Sequence, residues 1–326
     1  MSKEVLVRVE QLYRYYSQTC AVDNVSFDLA KGEVLGFLGP NGAGKTSTMQ
    51  MITGNLAPSA GRISIQGIDL LDRPKPAKRE IGYLPEQPPV YRELTVDEYL
   101  LYCAKLNRIA RSAVAGAVAT AKERCGLGEV GARLIGNLSK GYQQRVGIAQ
   151  AIIHTPAVVV LDEPTVGLDP IQIREIRALI RELGEEHGII LSTHILPEVQ
   201  ATCDRIIIIS DGRLVADDTP DSLTERESGG VVRVVVKGQN GASVDAGQVQ
   251  SLLSAVPGVR AVAAGDGEGN GTLGFLLRTQ GSEDPREGLF RAAVENNLVL
   301  LDLHREHVSL EDTFRRLTRG DGGADA

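Results

Sequence analysis

Tryptophan is absent from this chain, and phenylalanine and tyrosine together make up only 4% of it, so the core must be aliphatic. Cysteine is nearly as scarce. The four present, Cys20, Cys103, Cys125 and Cys203, lie far apart and form no pair spaced for zinc or for redox chemistry. They read as reduced thiols of a cytoplasmic protein. No apolar run reaches the roughly 18 residues that a bilayer-spanning helix needs. The uncharged stretch from Gly147 to Leu161 is interrupted by Gln150, His154, Thr155 and Pro156, and reads as a helix end, a turn and a buried strand. Met1-Ser2-Lys3-Glu4-Val5 has no signal-peptide core. Positive charge is also short: 35 Lys and Arg stand against 42 Asp and Glu, a formal net charge of −7. That balance argues against broad nucleic-acid binding through phosphate neutralisation.

What remains is ordinary globular material. With 326 residues, 42% hydrophobic and 24% charged, the chain has room for one large domain and a smaller one. To about Leu223, strands alternate with helical stretches, an α/β pattern. The expected strands are Val5 to Val9, Ala21 to Leu29, Val34 to Leu38, Arg62 to Ile65, Val158 to Leu161, Gly188 to Ser192 and Arg205 to Ser210. Asp211-Gly212 signals a hairpin. Thr95 followed by Glu98 is a capping box, which starts a helix-rich region of about 95–150. Residues 224–230 turn polar and end in Gly229-Gly230, a linker. Residues 231–319 then read as strand, helix, two strands, helix and strand, the order of a small ferredoxin-like α+β domain. The Gly265 to Gly271 loop and the 320–326 tail are expected to be mobile.

The run Gly39-Pro40-Asn41-Gly42-Ala43-Gly44-Lys45-Thr46-Ser47 carries the most chemistry. It fits G-x-x-x-x-G-K-[ST], with an apolar strand before it and a helical stretch after it, the context that a phosphate-cradling loop requires. Glycines permit close approach of backbone N–H groups to phosphates. Lys45 supplies positive charge at the β- and γ-phosphates, and the Thr46 hydroxyl can ligate magnesium. Further on, Val158-Val159-Val160-Leu161 ends in Asp162-Glu163, which puts two carboxylates at the carboxyl edge of a sheet. Asp162 can hold magnesium through water, and Glu163 can act as general base. The bland alternative is a strand followed by an acidic turn. Between the motifs, Ser139 in Leu138-Ser139-Lys140-Gly141-Tyr142-Gln143-Gln144-Arg145 can cap a helix whose N-terminus suits an anion.

This last run resembles the L-S-G-G-Q signature of ATP-binding-cassette (ABC) proteins, with Lys140 in place of the first glycine and Tyr142 before the glutamine. Other elements of that family follow in order over residues 3 to 223. The resemblance implies that Tyr16 stacks on adenine, although Tyr13 and Tyr15 are rival choices. It also implies that Asp169 of Gly167-Leu168-Asp169 is the polar member of its loop, and that His194 senses the γ-phosphate. The family's usual glutamine is replaced in Ile81-Gly82-Tyr83-Leu84-Pro85-Glu86, so either Glu86 or, after a one-residue slip, Gln87 takes that place, Glu86 as a further magnesium ligand. The resemblance implies a P-loop ABC ATPase domain with antiparallel β and helical subdomains, using ATP and Mg2+. One chain contributes Lys45, Thr46, Asp162, Glu163 and His194; a second copy, or a paralogous ATPase, contributes Ser139 and Gly141. The branch resembled is that of multidrug-type and gliding-motility-associated exporters. Its members work on the inner face of the cell membrane with a separately encoded permease and no nucleic acid. The permease is expected to dock near Glu86 to Tyr99. Ser309-Leu310-Glu311-Asp312-Thr313-Phe314 resembles the ending of that branch's accessory domain. The alternatives are a soluble ABC ATPase of translation or DNA repair, and an importer ATPase.

Overall fold

The computed structural model describes residues 4–228, 231–239, 242, 244–266, 271–279, 284–305 and 310–318. The 320–326 tail and most of the 265–271 loop lie outside the described residues. The chain divides into two compact units: Met1–Pro220 together with Phe314–Ala326, and Asp221–Thr313.

The first unit is built on two sheets. One is antiparallel: β1 (Val5–Tyr16), β2 (Thr19–Ala30), β4 (Ala60–Ile65) and β5 (Ile68–Asp69), in the order β2-β1-β4-β5. Strand β1 runs seven residues beyond the expected Val9. Register shifts near Gln11, which has φ +47°, let the pairing continue through the tyrosines. The second sheet has the order β10-β9-β3-β8-β7-β6, with β3 (Val34–Leu38), β6 (Ile81–Leu84), β7 (Val158–Asp162), β8 (Gly188–Thr193), β9 (Arg205–Ser210) and β10 (Arg213–Asp218). All its pairs are parallel except the β9–β10 hairpin. Strands β3 and β7 are buried at every residue and are near-continuous apolar runs, Val-Leu-Gly-Phe-Leu and Val-Val-Val-Leu before Asp162, as strands covered on both faces must be.

The two sheets share an aliphatic core. Leu6, Val9, Leu12 and Ile63 from the antiparallel sheet cluster with Leu35, Val158, Val160, Ile190 and Ile207 from the parallel one. Two aromatics join that seam, Phe27 and Phe37, with ring centroids 5.0 Å apart. Helices α1 (Lys45–Ile52), α2 (Pro74–Arg79), α3 (Val96–Leu106), α4 (Val114–Arg124), α5 (Lys140–Ile152), α6 (Pro170–Gly184) and α7 (Leu196–Thr202) complete the unit. The capping box forms at α3: Thr95 Oγ1 accepts the Glu98 N–H, and the Glu98 carboxylate accepts the Thr95 N–H at 2.8 Å.

The second unit holds β11 (Val231–Gly238), α9 (Ala246–Ser254), β12 (Val259–Gly265), β13 (Thr272–Thr279), α10 (Arg286–Glu295) and β14 (Leu298–Arg305). Its antiparallel sheet has the order β12-β13-β11-β14, the strand order of a ferredoxin-like fold. Val232, Val234, Val236, Phe275 and Leu277 face Val249, Leu253 and Leu289 of the helices. Within the stretch expected as a linker, residues up to 228 belong to helix α8 (Pro220–Ser228), begun by a proline at its first position and followed in sequence by Gly229-Gly230. The motif ending in Phe314 starts at Ser309, outside the described residues, and continues into α11 (Leu310–Thr318).

Candidate functional site

Parallel register gathers the site. Leu38 at the end of β3 pairs with Thr193 of β8, Asp162 of β7 with Ser192, and Leu84 of β6 with Leu161. The loops that follow these strands therefore emerge along one edge, the carboxyl edge where α/β sheets bind ligands. They bring segments 39–47, 86, 162–163 and 194 together from across the sequence.

The glycine loop is held by backbone contacts that tolerate no side chain. A Cβ on Gly39 would stand 2.5 Å from Ile209 O, and one on Gly44, at φ +102°, would stand 2.4 Å from Ala21 O. Gly44 caps α1 without a side-chain bond, so the first N–H groups of that helix are directed into the loop unsatisfied by a cap. The Lys45 ammonium is buried, 7% exposed, and donates to Gly39 O at 2.7 Å and to Pro40 O at 3.2 Å. Burial lowers its pKa, against the pull of Glu163 and Asp162.

Two acids face it. Asp162 is 3% exposed and accepts a short hydrogen bond from Ser192 Oγ. Burial raises its carboxyl pKa; Ser192 opposes that rise, the Glu86 carboxylate adds to it and Lys45 opposes it. Glu163 takes the left-handed backbone conformation, φ +48°, which costs a residue with a side chain roughly 1–2 kcal/mol. Its N–H donates to Ser192 O at 3.0 Å, and His194 Nδ1 lies 2.9 Å from each of its carboxylate oxygens.

A cleft of about 390 Å³ opens here. It is lined by Asn41, Gly42, Gly44, Lys45, Thr46 and Ser47, together with Glu86, Glu163 and His194. Ala21, from strand β2, and Val166, from the loop after β7, complete the lining; no sequence motif marks either. Gly39, Pro40 and Ala43 belong to the loop's buttress rather than the lining. Glu86 lines the cleft, whereas Gln87 lines only a neighbouring one of about 630 Å³ with Pro88, Arg92, Lys140 and Gln144. Tyr16 OH lies 3.3 Å from Ser47 Oγ, and the Arg14 guanidinium stands 4.7 Å over its ring, while Tyr13 and Tyr15 stack on each other.

Ser139, Gly141 and Asp169 are elsewhere. Ser139 is exposed and caps α5, accepting the Tyr142 N–H at 3.4 Å. Asp169 caps α6 by accepting from Ile171 N at 3.0 Å and Gln172 N at 2.9 Å. A Cβ on Gly141 would stand 2.5 Å from Gln172 Oε1, and one on Gly167 would stand 2.3 Å from Lys140 Nζ. The signature run and the Gly167–Asp169 loop thus form one neighbourhood, separate from the lining of the cleft. His154 and His187 are turned to backbone carbonyls of Ile81 and Pro156, away from this chemistry.

Comparison with known proteins decides the family. The ABC transporter family model matches residues 22–166. The linearmycin resistance ATP-binding protein LnrL of Bacillus subtilis is 31% identical over 315 residues, 96% of this chain and 98% of its own length. The chain belongs to the ABC transporter ATP-binding family. The bacitracin transport ATP-binding protein BcrA of Bacillus licheniformis is 38% identical over 223 residues, covering 68% of this chain and 72% of BcrA. Among solved structures, CbiO1 of Clostridium perfringens, part of the ABC transporter complex CbiONQ, matches with TM-score 0.63 and 28% identity, over 69% of this chain and 92% of CbiO1. As an ABC ATP-binding subunit, the chain binds ATP and hydrolyses it to power transport. The LnrL match also runs through the second unit.

Proposed function

We propose that this chain drives export through a separate membrane permease, and that it works as a pair of copies sharing ATP. The carrying observation is the split described above. Lys45, Thr46, Glu163 and His194 border one cleft, whereas Ser139 and Gly141 stand outside its lining with a helix N-terminus that suits an anion. A second copy that brings its signature run over the cleft supplies what each copy lacks. ATP then favours the closed pair, because it touches both copies only in that state. Tyr16, beside Ser47, is the adenine platform, and Asp169 orders the loop that faces the partner.

The residues present fit magnesium. Glu163 and Glu86 line the cleft and Asp162 is buried beside them, three carboxylates around one buried ammonium, and Thr46 is exposed in the same lining. Hard oxygen donors of this kind suit the ion. Thr46, Asp162 and Glu86 would hold it, and it would neutralise phosphate charge. Glu163 takes the proton of the attacking water, and His194 holds the Glu163 carboxylate in place. Among the described residues no helix is long and apolar enough to cross a membrane. The transporter relatives support a chain held on the inner face of the membrane by a permease that docks near Glu86 to Tyr99. There Tyr91 and Tyr102 are exposed, and the Tyr99 hydroxyl donates to Pro89 O at 2.9 Å. BcrA is a transport ATP-binding protein and CbiO1 part of a transporter complex, which weighs against a soluble role in translation or repair.

The test is crosslinking. In a Glu163→Gln background with ATP bound, a cysteine at Ser139 should crosslink to one in the partner's phosphate loop. Absence of that crosslink, in protein that still binds ATP, overturns the shared-nucleotide reading. Co-purification with a permease from detergent-solubilised membranes tests export; co-sedimentation with ribosomes would oppose it.

A further inference from the structure

Glu198 on α7 is the most enclosed acid outside the cleft among the described residues, 2% exposed. A carboxylate taken so fully out of water must be held by hydrogen bonds. One oxygen, Oε2, accepts two: from Thr165 Oγ1 at 2.7 Å and from Thr193 Oγ1 at 3.0 Å. Thr165 lies two residues beyond Glu163, and Thr193 immediately precedes His194. Thr193 Oγ1 also accepts the Ile195 N–H at 3.1 Å, which closes the turn that presents His194. Arg177 of α6 stands 3.9 Å from Oε1.

We infer that Glu198 is a positioning residue that fastens the loop after β7 to the loop after β8, and so sets the 2.9 Å contact between Glu163 and His194. The inference rests on the roles proposed above for those two residues. Apart from the Glu163–His194 contact itself, the other hydrogen bonds across join the Glu163 backbone N–H and the Asp162 carboxylate to Ser192. They fix the strand ends but neither the Pro164–Val166 turn nor the His194 turn. The single oxygen of Glu198 reaches both. Displacing a general base by even an ångström costs about 100-fold in rate, while the phosphate loop that binds nucleotide is untouched.

The experiment uses the full chain. Glu198→Ala should lower kcat about 10- to 100-fold and leave the affinity for a fluorescent ATP analogue within about twofold. With 15N-labelled histidine, of which the chain has five residues, the His194 ring signal, assigned through His194→Gln, should move. Thr165→Val and Thr193→Val should each lower kcat less, and each should add little to Glu198→Ala, since all three remove one joint. Glu198→Gln keeps an amide oxygen that can accept from both hydroxyls and should hold kcat near wild type. The Thr165→Val/Thr193→Val double variant, which removes both bonds, should lower kcat and decides the matter if the alanine variant does not fold. Wild-type kcat in that double variant overturns the inference. An equal loss of kcat and nucleotide affinity with an unmoved His194 signal does so too. Glu163→Gln runs alongside: wild-type hydrolysis there removes the general-base assignment, whereas a dead Glu163→Gln beside a wild-type threonine double variant removes only this inference.

Discussion

Glu163 holds a backbone conformation that costs energy, yet its carboxylate meets His194 Nδ1 at 2.9 Å through both oxygens. That cost is repaid by a carboxylate aimed at the glycine loop. Glu163→Gln should retain ATP binding and lose hydrolysis by about 100- to 10,000-fold, the span of general-base catalysis, measured as steady-state phosphate release. Lys45 makes the opposite expectation. Its ammonium already bridges the carbonyls of Gly39 and Pro40, so Lys45→Ala should weaken nucleotide binding itself, read by titration with a fluorescent analogue. The cysteines offer a third check at this scale. Burial pushes the Cys125 thiol up to about 12 and raises those of Cys103 and Cys203, whereas Cys20 is partly exposed. In the native protein near pH 8 a thiol reagent should label Cys20 alone, with the other three appearing on unfolding.

Among the elements, the β9–β10 hairpin does more than close a sheet edge. Asp211 and Gly212 have φ of +48° and +77°, as a two-residue turn with both central residues left-handed requires. Gly212 N donates to Ala43 O at 3.1 Å and Gly212 O accepts from Asp23 N at 2.8 Å, so the turn braces the phosphate loop from behind. A Cβ there would stand 2.9 Å from Ala21 O. Gly212→Val should therefore lower ATP affinity by pressing on Ala21 and loosening Ala43, with every residue of the phosphate loop itself unchanged. Wild-type affinity in that variant would show that the loop stands unaided. At α3, Thr95→Ala removes one half of the capping box and should destabilise the protein by about 1 kcal/mol in urea titrations. These two devices differ in legibility. The capping box is read directly from Thr95 and Glu98, because both bonds are local. The hairpin was legible from Asp211-Gly212, but its service to Ala43 was not, since nothing in sequence links positions 43 and 212.

For the whole molecule, the separation of Ser139 from the cleft is the decisive feature. With ATP, the Glu163→Gln variant should elute as a species of twice the 34.9 kDa monomer mass, and Ser139→Glu should abolish it by setting like charge against the γ-phosphate. A monomer in both variants would leave the two-copy reading without support. The second unit folds around its own aliphatic core, and its ferredoxin-like strand order follows from the sequence of elements.

The amino-acid sequence alone determined the family, the phosphate loop, the acidic strand end and most of the elements. All of these depend on residues within a few positions of one another, where spacing and propensity act directly. Only the tertiary structure decided that Glu86 rather than Gln87 borders the cleft, that Tyr16 is the tyrosine beside Ser47, and that Glu198 joins the loops of Thr165 and Thr193. Each depends on how a strand end or a loop is placed against another segment, and that placement is set by contacts between residues far apart in the chain.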